Sequence, residues 1–249
     1  MRSTCLKSLL RLSVLLAGAP LAASAMQMNT CDDQLLLSGD VERGDYYEIK
    51  KRLSAHPEIG VVVLRNSRGG DAESGYDVGE YFRDKGISTY LSGYCLSSCS
   101  RMFLGGKERF FTDDFPLGKS NVGFHSNYNN AGNIMPGAQW KLSHFIQQYS
   151  DGKADPALVE RWVNIPNHNG FARFYHPTAL HRRDGVSMLM CNGSEGNRQW
   201  ELCEKISDHD ALSMGIITSL DIKHSCDADA IHARESSSSS ASNGSEPGQ

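Results

Sequence analysis

The chain lacks the excess of positive charge that nucleic-acid binding requires. Its 249 residues include 25 lysines and arginines against 29 aspartates and glutamates. The first 25 residues hold three of the basic residues and no acidic one, which leaves 22 basic against 29 acidic residues and a net charge of −7. No basic stripe with interleaved aromatic residues offsets this balance. We therefore expect no nucleic-acid partner.

Long apolar runs are also scarce, and the one that exists lies at the N-terminus. Three basic residues precede an apolar segment at 12–21, and small residues follow at 23–25. This order is typical of a secretory signal peptide that is cleaved after Ala25. No other run approaches the ~20 apolar residues that cross a bilayer. We therefore predict a signal peptide at 1–25, no membrane span, and a periplasmic or secreted location.

Nucleotide and metal motifs are missing as well. The sequence contains no loop of the Gly-x-x-x-x-Gly-Lys type, which cradles phosphates. The histidines show no spacing typical of metal ligands, and an oxidising compartment favours disulfides over a cysteine zinc site. We therefore predict neither a cofactor nor a metal.

Six cysteines follow the signal segment. An even number in an exported chain predicts disulfides, although sequence alone does not fix their connectivity. Position along the chain is the only guide: one pair closes a Gly/Asn-rich loop, one brackets a single turn, and one flanks the ends of the domain. The pairs indicated in this way are Cys191 with Cys203, Cys95 with Cys99, and Cys31 with Cys226.

Strand-like and helix-like segments alternate through the first half of the chain. Apolar, β-branched runs indicate buried strands, and apolar residues at helical spacing indicate amphipathic helices. The strands are expected at 35–37, 61–64, 87–91 and 121–124, and the helices at 46–53 and 71–85. This order with short connections favours a parallel α/β sheet in one domain, 26–232.

The second half of the chain has a different character. Residues 127–137 form a loop long enough to be a lid or an oligomer contact. Helices are expected at 139–149 and 156–163, and the stretch 166–176, rich in Asn, His and aromatic residues, is expected to be irregular. The Ser-rich tail 233–249 cannot bury a core and is expected to be disordered.

Three short motifs follow apolar strands and carry candidate catalytic groups. Residues 64–70 end in two glycines, whose backbone N–H groups can point outward toward a ligand. Residues 93–99 place Ser97 between a strand and a helix, where α/β hydrolytic folds expose a nucleophile. His125 follows the strand 121–124. A serine needs a base and donors for the oxyanion, and together these motifs can supply both.

At these residues the sequence resembles the Clp-protease/crotonase superfamily, on the serine peptidase side that holds the proteolytic subunit of Clp and the signal peptide peptidases. The resemblance implies a ClpP/crotonase-like α/β spiral of ββα units in a single domain. It makes Ser97 the nucleophile and His125 the base, with an oxyanion hole from the N–H groups of Ser98 and of Gly69 or Gly70. The sequence is most similar to secreted, cysteine-containing members, which implies a peptide or protein substrate and a homo-oligomer.

The third catalytic position departs from that family. The family places an Asp on the segment before its closing helix, whereas residues 165–170 contain no carboxylate. Asn167 or Asn169 can orient the imidazole without stabilising its charged form. The alternatives that stay open are Asp151, Asp155 and Asp184.

Other interpretations also stay open. Lys107 or Lys119 can serve a Ser-Lys dyad of the kind found in signal peptide peptidases. Arg68 stands where the family usually has proline, and Ser98 adjoins the expected nucleophile. We expect an exported serine hydrolase, a peptidase by resemblance. Its rivals are a catalytically silent binding or scaffold protein and crotonase-type acyl-CoA chemistry, which export disfavours.

Overall fold

Ten strands join in one mixed sheet within the part of the chain that the computed structural model describes, residues 25–179, 185–195 and 202–226. The strands are β1 (Gln27–Cys31), β2 (Gln34–Ser38), β3 (Val61–Ser67), β4 (Ser88–Leu96), β5 (Arg109–Thr112), β6 (Asn121–Phe124), β7 (Phe171–Tyr175), β8 (Met188–Cys191), β9 (Glu204–Ile206) and β10 (Ile222–Lys223). The helices are α1 (Asp45–Ala55), α2 (Ala72–Lys85), α3 (Ser98–Gly105), α4 (Ala138–Tyr149) and α5 (Pro156–Val163). The predicted signal peptide, apart from Ala25, and the predicted tail 233–249 lie outside the described residues.

Strand β4 is the centre of the sheet. The main path runs β1-β2-β3-β4-β6-β7-β8-β9, and β5 and β10 branch from it. The first half of β4 pairs in parallel with β5 and its second half pairs in parallel with β6. Strands β2, β3 and β4 are parallel, each followed by a helix, which confirms the predicted α/β class. Two strands precede α1 and two precede α4, as in a ββα unit.

Helix α2 has the boundaries that its sequence predicts. Asp71 caps its N-terminus and accepts a hydrogen bond from the Ser74 N–H at 2.8 Å. Gly86 ends the helix at φ 70, a left-handed conformation that glycine adopts without strain. The helix therefore starts directly after the glycine motif at 69–70 and turns a buried face to the sheet.

Helix α3 packs on α2 through glycines. A Cβ placed on Gly105 would lie 2.1 Å from the Gly79 carbonyl oxygen, and one on Gly79 would lie 2.5 Å from the Arg101 carbonyl oxygen. One turn earlier, a Cβ on Gly75 would lie 2.8 Å from the Ser98 Cβ. Because no side chain separates the two helices, their backbones meet, and this contact fixes the start of α3 against α2.

A buried polar cluster joins β3 to β4 below the glycine motif. Arg65 forms an ion pair with the buried Asp114, and its Nε donates to the Ser92 Oγ at 2.9 Å. The Ser92 hydroxyl in turn donates to Asp114 at 2.8 Å. A buried ion pair is tolerated when hydrogen bonds satisfy its remaining polar atoms. This cluster holds the second half of β3 in place, ahead of Gly69 and Gly70.

The structure brings the six cysteines to disulfide distance in the three predicted pairs. The Cα–Cα distances are 6.1 Å for Cys31 with Cys226, 5.2 Å for Cys95 with Cys99, and 4.6 Å for Cys191 with Cys203. The first pair ties the two ends of the described chain together, and the second encloses the turn that carries Ser97.

The stretch 166–176 is not irregular throughout, and that prediction was wrong. Residues Phe171–Tyr175 form β7, which pairs antiparallel with both β6 and β8. All five side chains of the strand are buried, so it shows none of the alternation that reveals a half-exposed strand. The Asn-rich lead-in concealed it further, since such residues are typical of loops.

Candidate active site

Ser97 occupies a strained turn between β4 and α3. Its backbone has φ 54 and ψ −124, a conformation that costs a residue with a side chain about 1–3 kcal/mol. Its N–H donates to the Gly123 carbonyl on β6 at 2.9 Å, and its carbonyl accepts the Ser100 N–H at 3.0 Å. The Cys95–Cys99 pair encloses the same turn. Bonds on both sides therefore hold Ser97 in a geometry that the chain would not adopt by itself.

His125 lies beside this turn because β6 runs parallel to β4. The register pairs Leu96 with Gly123, so both strands end at the same edge of the sheet. There the His125 Nε2 lies 2.8 Å from the Ser97 Oγ. His125 is 7% exposed, whereas Ser97 is half-buried. The pair thus has the distance that a base and its nucleophile need, and solvent reaches the hydroxyl.

Aromatic rings hold the His125 imidazole. The Phe171 ring stacks on it at 4.2 Å between centroids with an interplanar angle of 19°, and the Tyr128 ring meets it edge-on at 5.1 Å. The Tyr128 hydroxyl donates to the Ile165 carbonyl at 2.6 Å, which fixes that ring too. Among the described residues no group makes a hydrogen bond to the His125 Nδ1. Packing therefore does the orienting that a carboxylate does in a triad.

The surroundings keep His125 neutral. Burial, followed by the charge of Arg101, lowers the pKa of His125 from 6.5 to about 3. Backbone groups of Gly170 and His168 act in the opposite direction but make no hydrogen bond of normal geometry to Nδ1. A neutral imidazole can accept the Ser97 proton at any pH well above 3, although a base with so low a pKa is a weak one.

The glycine motif reaches this edge of the sheet through a bulge. The pairing of β3 with β4 shifts its register between Arg65 and Ser67, and Asn66 there has φ 48. A Cβ on Gly93 of β4 would lie 2.1 Å from the Asn66 Oδ1, so Gly93 is a strand residue that makes room for that side chain. Bulges often lie next to active sites, where they re-aim the backbone.

Gly69 and Gly70 lie in different surroundings. A Cβ on Gly69 would lie 2.7 Å from the Ser97 Cβ, so this backbone abuts the serine turn. The Gly69 N–H donates to the Ser67 Oγ at 3.2 Å, whereas no acceptor within the described chain takes the N–H of the exposed Gly70. The Ser98 N–H belongs to the first residue of α3 and has no partner inside the helix. Gly70 and Ser98 are thus the candidates whose backbone N–H groups can donate to a substrate oxygen.

None of the predicted third residues that the structure describes makes a hydrogen bond to the imidazole nitrogen. The Asn167 Nδ2 donates to the Gly193 carbonyl at 3.1 Å, and the Asn167 Oδ1 accepts the Asn169 N–H at 3.0 Å. Asp151 pairs with Arg83, and Asp155 caps α5 by accepting two backbone N–H groups. Asp184 lies outside the described residues. No carboxylate in the described chain hydrogen-bonds to His125.

Neither candidate lysine lies at the serine end of its strand. The Lys107 N–H donates to the Ile87 carbonyl at 2.8 Å, just before β4 begins, about 30 Å along the strand from Ser97. Lys119 precedes β6, so its backbone lies at the opposite end of that strand from His125. A Ser-Lys dyad with either residue has no support from these positions.

The described residues contain neither a metal-binding cluster nor a membrane-spanning helix. No cluster of three or more His, Cys, Asp or Glu side chains in residues 25–179, 185–195 and 202–226 is arranged to hold a metal ion. No helix within the same ranges has the length and apolar character to cross a membrane.

Sequence interpretation missed two residues that contact His125. Arg101 lies in α3 and is 1% exposed, and Phe171 lies in the unpredicted strand β7. Arg101 precedes the apolar residues Met102, Phe103 and Leu104, but no local pattern indicates that it contacts the His125 segment.

No family model matches the chain, and no curated protein matches it either. Among solved structures, it is similar to ClpP1 from Listeria monocytogenes, with 14% identity, 78% of this chain and 92% of that chain covered, and a TM-score of 0.46. It is similar to a mutant of the 1510-N membrane-bound stomatin-specific protease, with 12% identity, coverage of 75% and 78%, and a TM-score of 0.43. It is also similar to a protein assigned as an enoyl-CoA hydratase from Streptomyces avermitilis, with 10% identity, coverage of 91% and 76%, and a TM-score of 0.43. At these identities and TM-scores, the three similarities assign no activity to this chain, and the proposed function depends on the chain's own residues.

Proposed function

We propose that this chain is an exported serine hydrolase in which Ser97 attacks an acyl carbon and His125 accepts its proton. The observation that carries the proposal is the 2.8 Å contact between the His125 Nε2 and the Ser97 Oγ at the end of a strained turn. Strain at a residue with φ above zero persists only where the surrounding structure enforces it, and such residues cluster at functional sites. A buried neutral imidazole beside a half-buried hydroxyl is the arrangement that a general base requires.

The oxyanion hole of the proposed site consists of the Gly70 and Ser98 N–H groups. Both groups lack an acceptor in the described chain, and the Gly69 backbone between them abuts the serine turn. Donors held in place before the reaction stabilise the charge that develops on the substrate oxygen, and removing one typically lowers the rate by about 10²–10³. Ser98 directly follows the nucleophile and Gly70 directly follows Gly69, and acyl transfer requires donors near the reacting serine.

The substrate class is peptide or protein, because the three motifs resemble the serine peptidase side of the superfamily. Export is part of the proposal, and the three cysteine pairs at disulfide distance support it, since disulfides persist in oxidising compartments. A homo-oligomer stays a prediction of the resemblance.

Labelling with a fluorophosphonate tests the proposal. The Ser97 Oγ is expected to form a bond to phosphorus while fluoride leaves, and His125 takes the hydroxyl proton. Tandem mass spectrometry of the purified mature chain is expected to find one modified residue, Ser97, and protein unfolded in urea beforehand is expected to remain unmodified.

The outcomes separate the proposed function from its rival. Modification of Ser98 or Ser100 in place of Ser97 would show that the proposed nucleophile is wrong. Complete absence of labelling in folded protein would support a silent binding or scaffold role, for which the unpartnered Nδ1 of His125 is the motivating observation. Cleavage of a fluorogenic peptide library by labelling-competent protein then distinguishes a peptidase from an esterase.

A further inference from the structure

Arg101 is a buried cation without an acidic partner. Its side chain is 1% exposed, and its Nε and Nη1 atoms have no hydrogen-bond partner among the described residues. Its guanidinium lies 4.7 Å from the centroid of the Tyr76 ring. Glu73, the carboxylate that acts on it at longer range, is exposed and forms an ion pair with Lys141. A charge buried in this way is costly to the fold, so its position calls for an explanation.

The guanidinium contacts the backbone of the segment that carries His125. Its Nη2 donates to the His125 carbonyl at 3.4 Å and to the Asn127 Oδ1. Arg101 also lies in α3, the helix that begins directly after Ser97. The Arg101 side chain therefore contacts the segment that carries the base, and its backbone belongs to the helix that directly follows the nucleophile.

The other groups around His125 carry no comparable charge. Tyr128 is neutral, because burial raises its pKa to about 12. Phe171 is apolar, and His168 adds a smaller repulsion of the same sign as Arg101. Phe171 and Tyr128 pack on the imidazole itself, whereas the hydrogen bonds of Arg101 go to the His125 carbonyl and to Asn127. The effect of Arg101 on His125 is therefore chiefly electrostatic.

We propose that Arg101 extends the pH range of the dyad toward acid: its charge adds to burial in disfavouring the imidazolium form of His125, so the base stays available in acid while its basicity at neutral pH is reduced. Arg101 is thus a positioning residue that acts through His125. The inference rests on the proposed function for its consequence in catalysis, but the effect on His125 itself can be measured without any activity.

The sign of the pH dependence follows from the direction of the pKa change. His125 must be unprotonated to accept the Ser97 proton, and its pKa of about 3 lies below its ordinary value of 6.5. Labelling of the unaltered protein is therefore expected to hold its rate from pH 8 down to about pH 4 and to fall below that. Without the Arg101 charge, the fall is expected to begin at a higher pH.

Nuclear magnetic resonance of the histidine rings measures the effect on His125 directly, with its signal assigned by its loss in His125→Ala. The unaltered protein is expected to show no titration of His125 between pH 4.5 and 8. The Arg101→Met and Arg101→Gln variants are expected to raise the His125 pKa by about 1 or more, which is the size of effect that a nearby charge produces. The second variant keeps a polar group near Asn127 in case the first fails to fold.

Labelling rates test the consequence for the dyad. A Brønsted slope of about 0.5 converts a pKa increase of about 1 into labelling about 3-fold faster at pH 7. Arg109→Met removes another buried guanidinium, which donates to the Ile216 carbonyl at 3.0 Å and to the Gly215 carbonyl at 2.9 Å, and is expected to leave the His125 pKa unchanged. Thermal unfolding of each variant confirms that it is folded at the measuring temperature.

Two results would overturn the inference. One is an unchanged His125 pKa in folded Arg101→Met and Arg101→Gln, and the other is an equal change in Arg109→Met. Slower labelling with an unchanged pKa would make Arg101 a merely structural residue. If the unaltered protein is not labelled but the variants raise the pKa, the proposed function fails while the role of Arg101 toward His125 stands.

Discussion

Replacing His125 with alanine is expected to slow fluorophosphonate labelling of Ser97 by about 10²–10⁴-fold at pH 7, the usual contribution of a general base. The Ser97 hydroxyl loses the acceptor that lies 2.8 Å away, and no carboxylate or second histidine in the described chain makes a hydrogen bond to it. The rate is measured as the second-order constant of labelling, from the loss of unmodified protein with time by intact-mass spectrometry.

His144→Ala is the matched control for that experiment. His144 stacks on the exposed Trp140 in α4 at 5.4 Å and makes no hydrogen bond or ring contact with Ser97 or His125. Its removal is expected to leave the labelling rate unchanged. Equal rates in His125→Ala and the unaltered protein would show that His125 is a structural histidine and that the nucleophile works without it.

Replacing Gly105 with alanine is expected to destabilise the fold by more than about 4 kcal/mol, a size reached only by severe core disruption. The new Cβ would lie 2.1 Å from the Gly79 carbonyl oxygen and 2.3 Å from the Gly79 Cα, and backbone atoms cannot rotate away as a side chain does. Helices α2 and α3 would have to separate. In a chain of this size the melting temperature should fall by about 10 °C or more, as scanning calorimetry measures.

Gly60→Ala is the control for the glycine prediction. A Cβ on Gly60 meets nothing within 4 Å, and its backbone is outside the left-handed region. The change is expected to be neutral or to stabilise by about 0.4–1 kcal/mol, because alanine restricts the unfolded chain. A melting temperature of Gly105→Ala equal to that of Gly60→Ala would contradict the backbone contact between α2 and α3.

The sequence predicted the placement of the candidate site residues best where a reactive side chain directly follows a local turn signal. Ser97 and His125 each follow an apolar run that ends at a recognisable turn, and parallel strands that end together bring such residues to one edge of the sheet. The helix at 71–85 was predicted from its apolar face and from Gly86 at its end, because helical spacing and a terminating glycine are local signals. These features depend on a few neighbouring residues.

Features that depend on distant parts of the chain were not predictable. Phe171 and Arg101 matter because they pack around His125, and nothing in their local sequence reports that contact. The strand β7 is buried on both faces, so its pattern carries no period of two. Likewise Asn167 was chosen by its place in the motif, whereas its amide is used by Gly193 and Asn169. Tertiary packing, which no local pattern encodes, decides these positions.

The structure of the protein after reaction with a fluorophosphonate tests the convergence of the three motifs most directly. The account predicts phosphorus bonded to the Ser97 Oγ and its P=O oxygen about 2.7–3.1 Å from the N–H groups of Gly70 and Ser98, with the His125 Nε2 still beside the serine oxygen. An adduct on another residue, or a phosphoryl oxygen that points to solvent away from both amides, would contradict it.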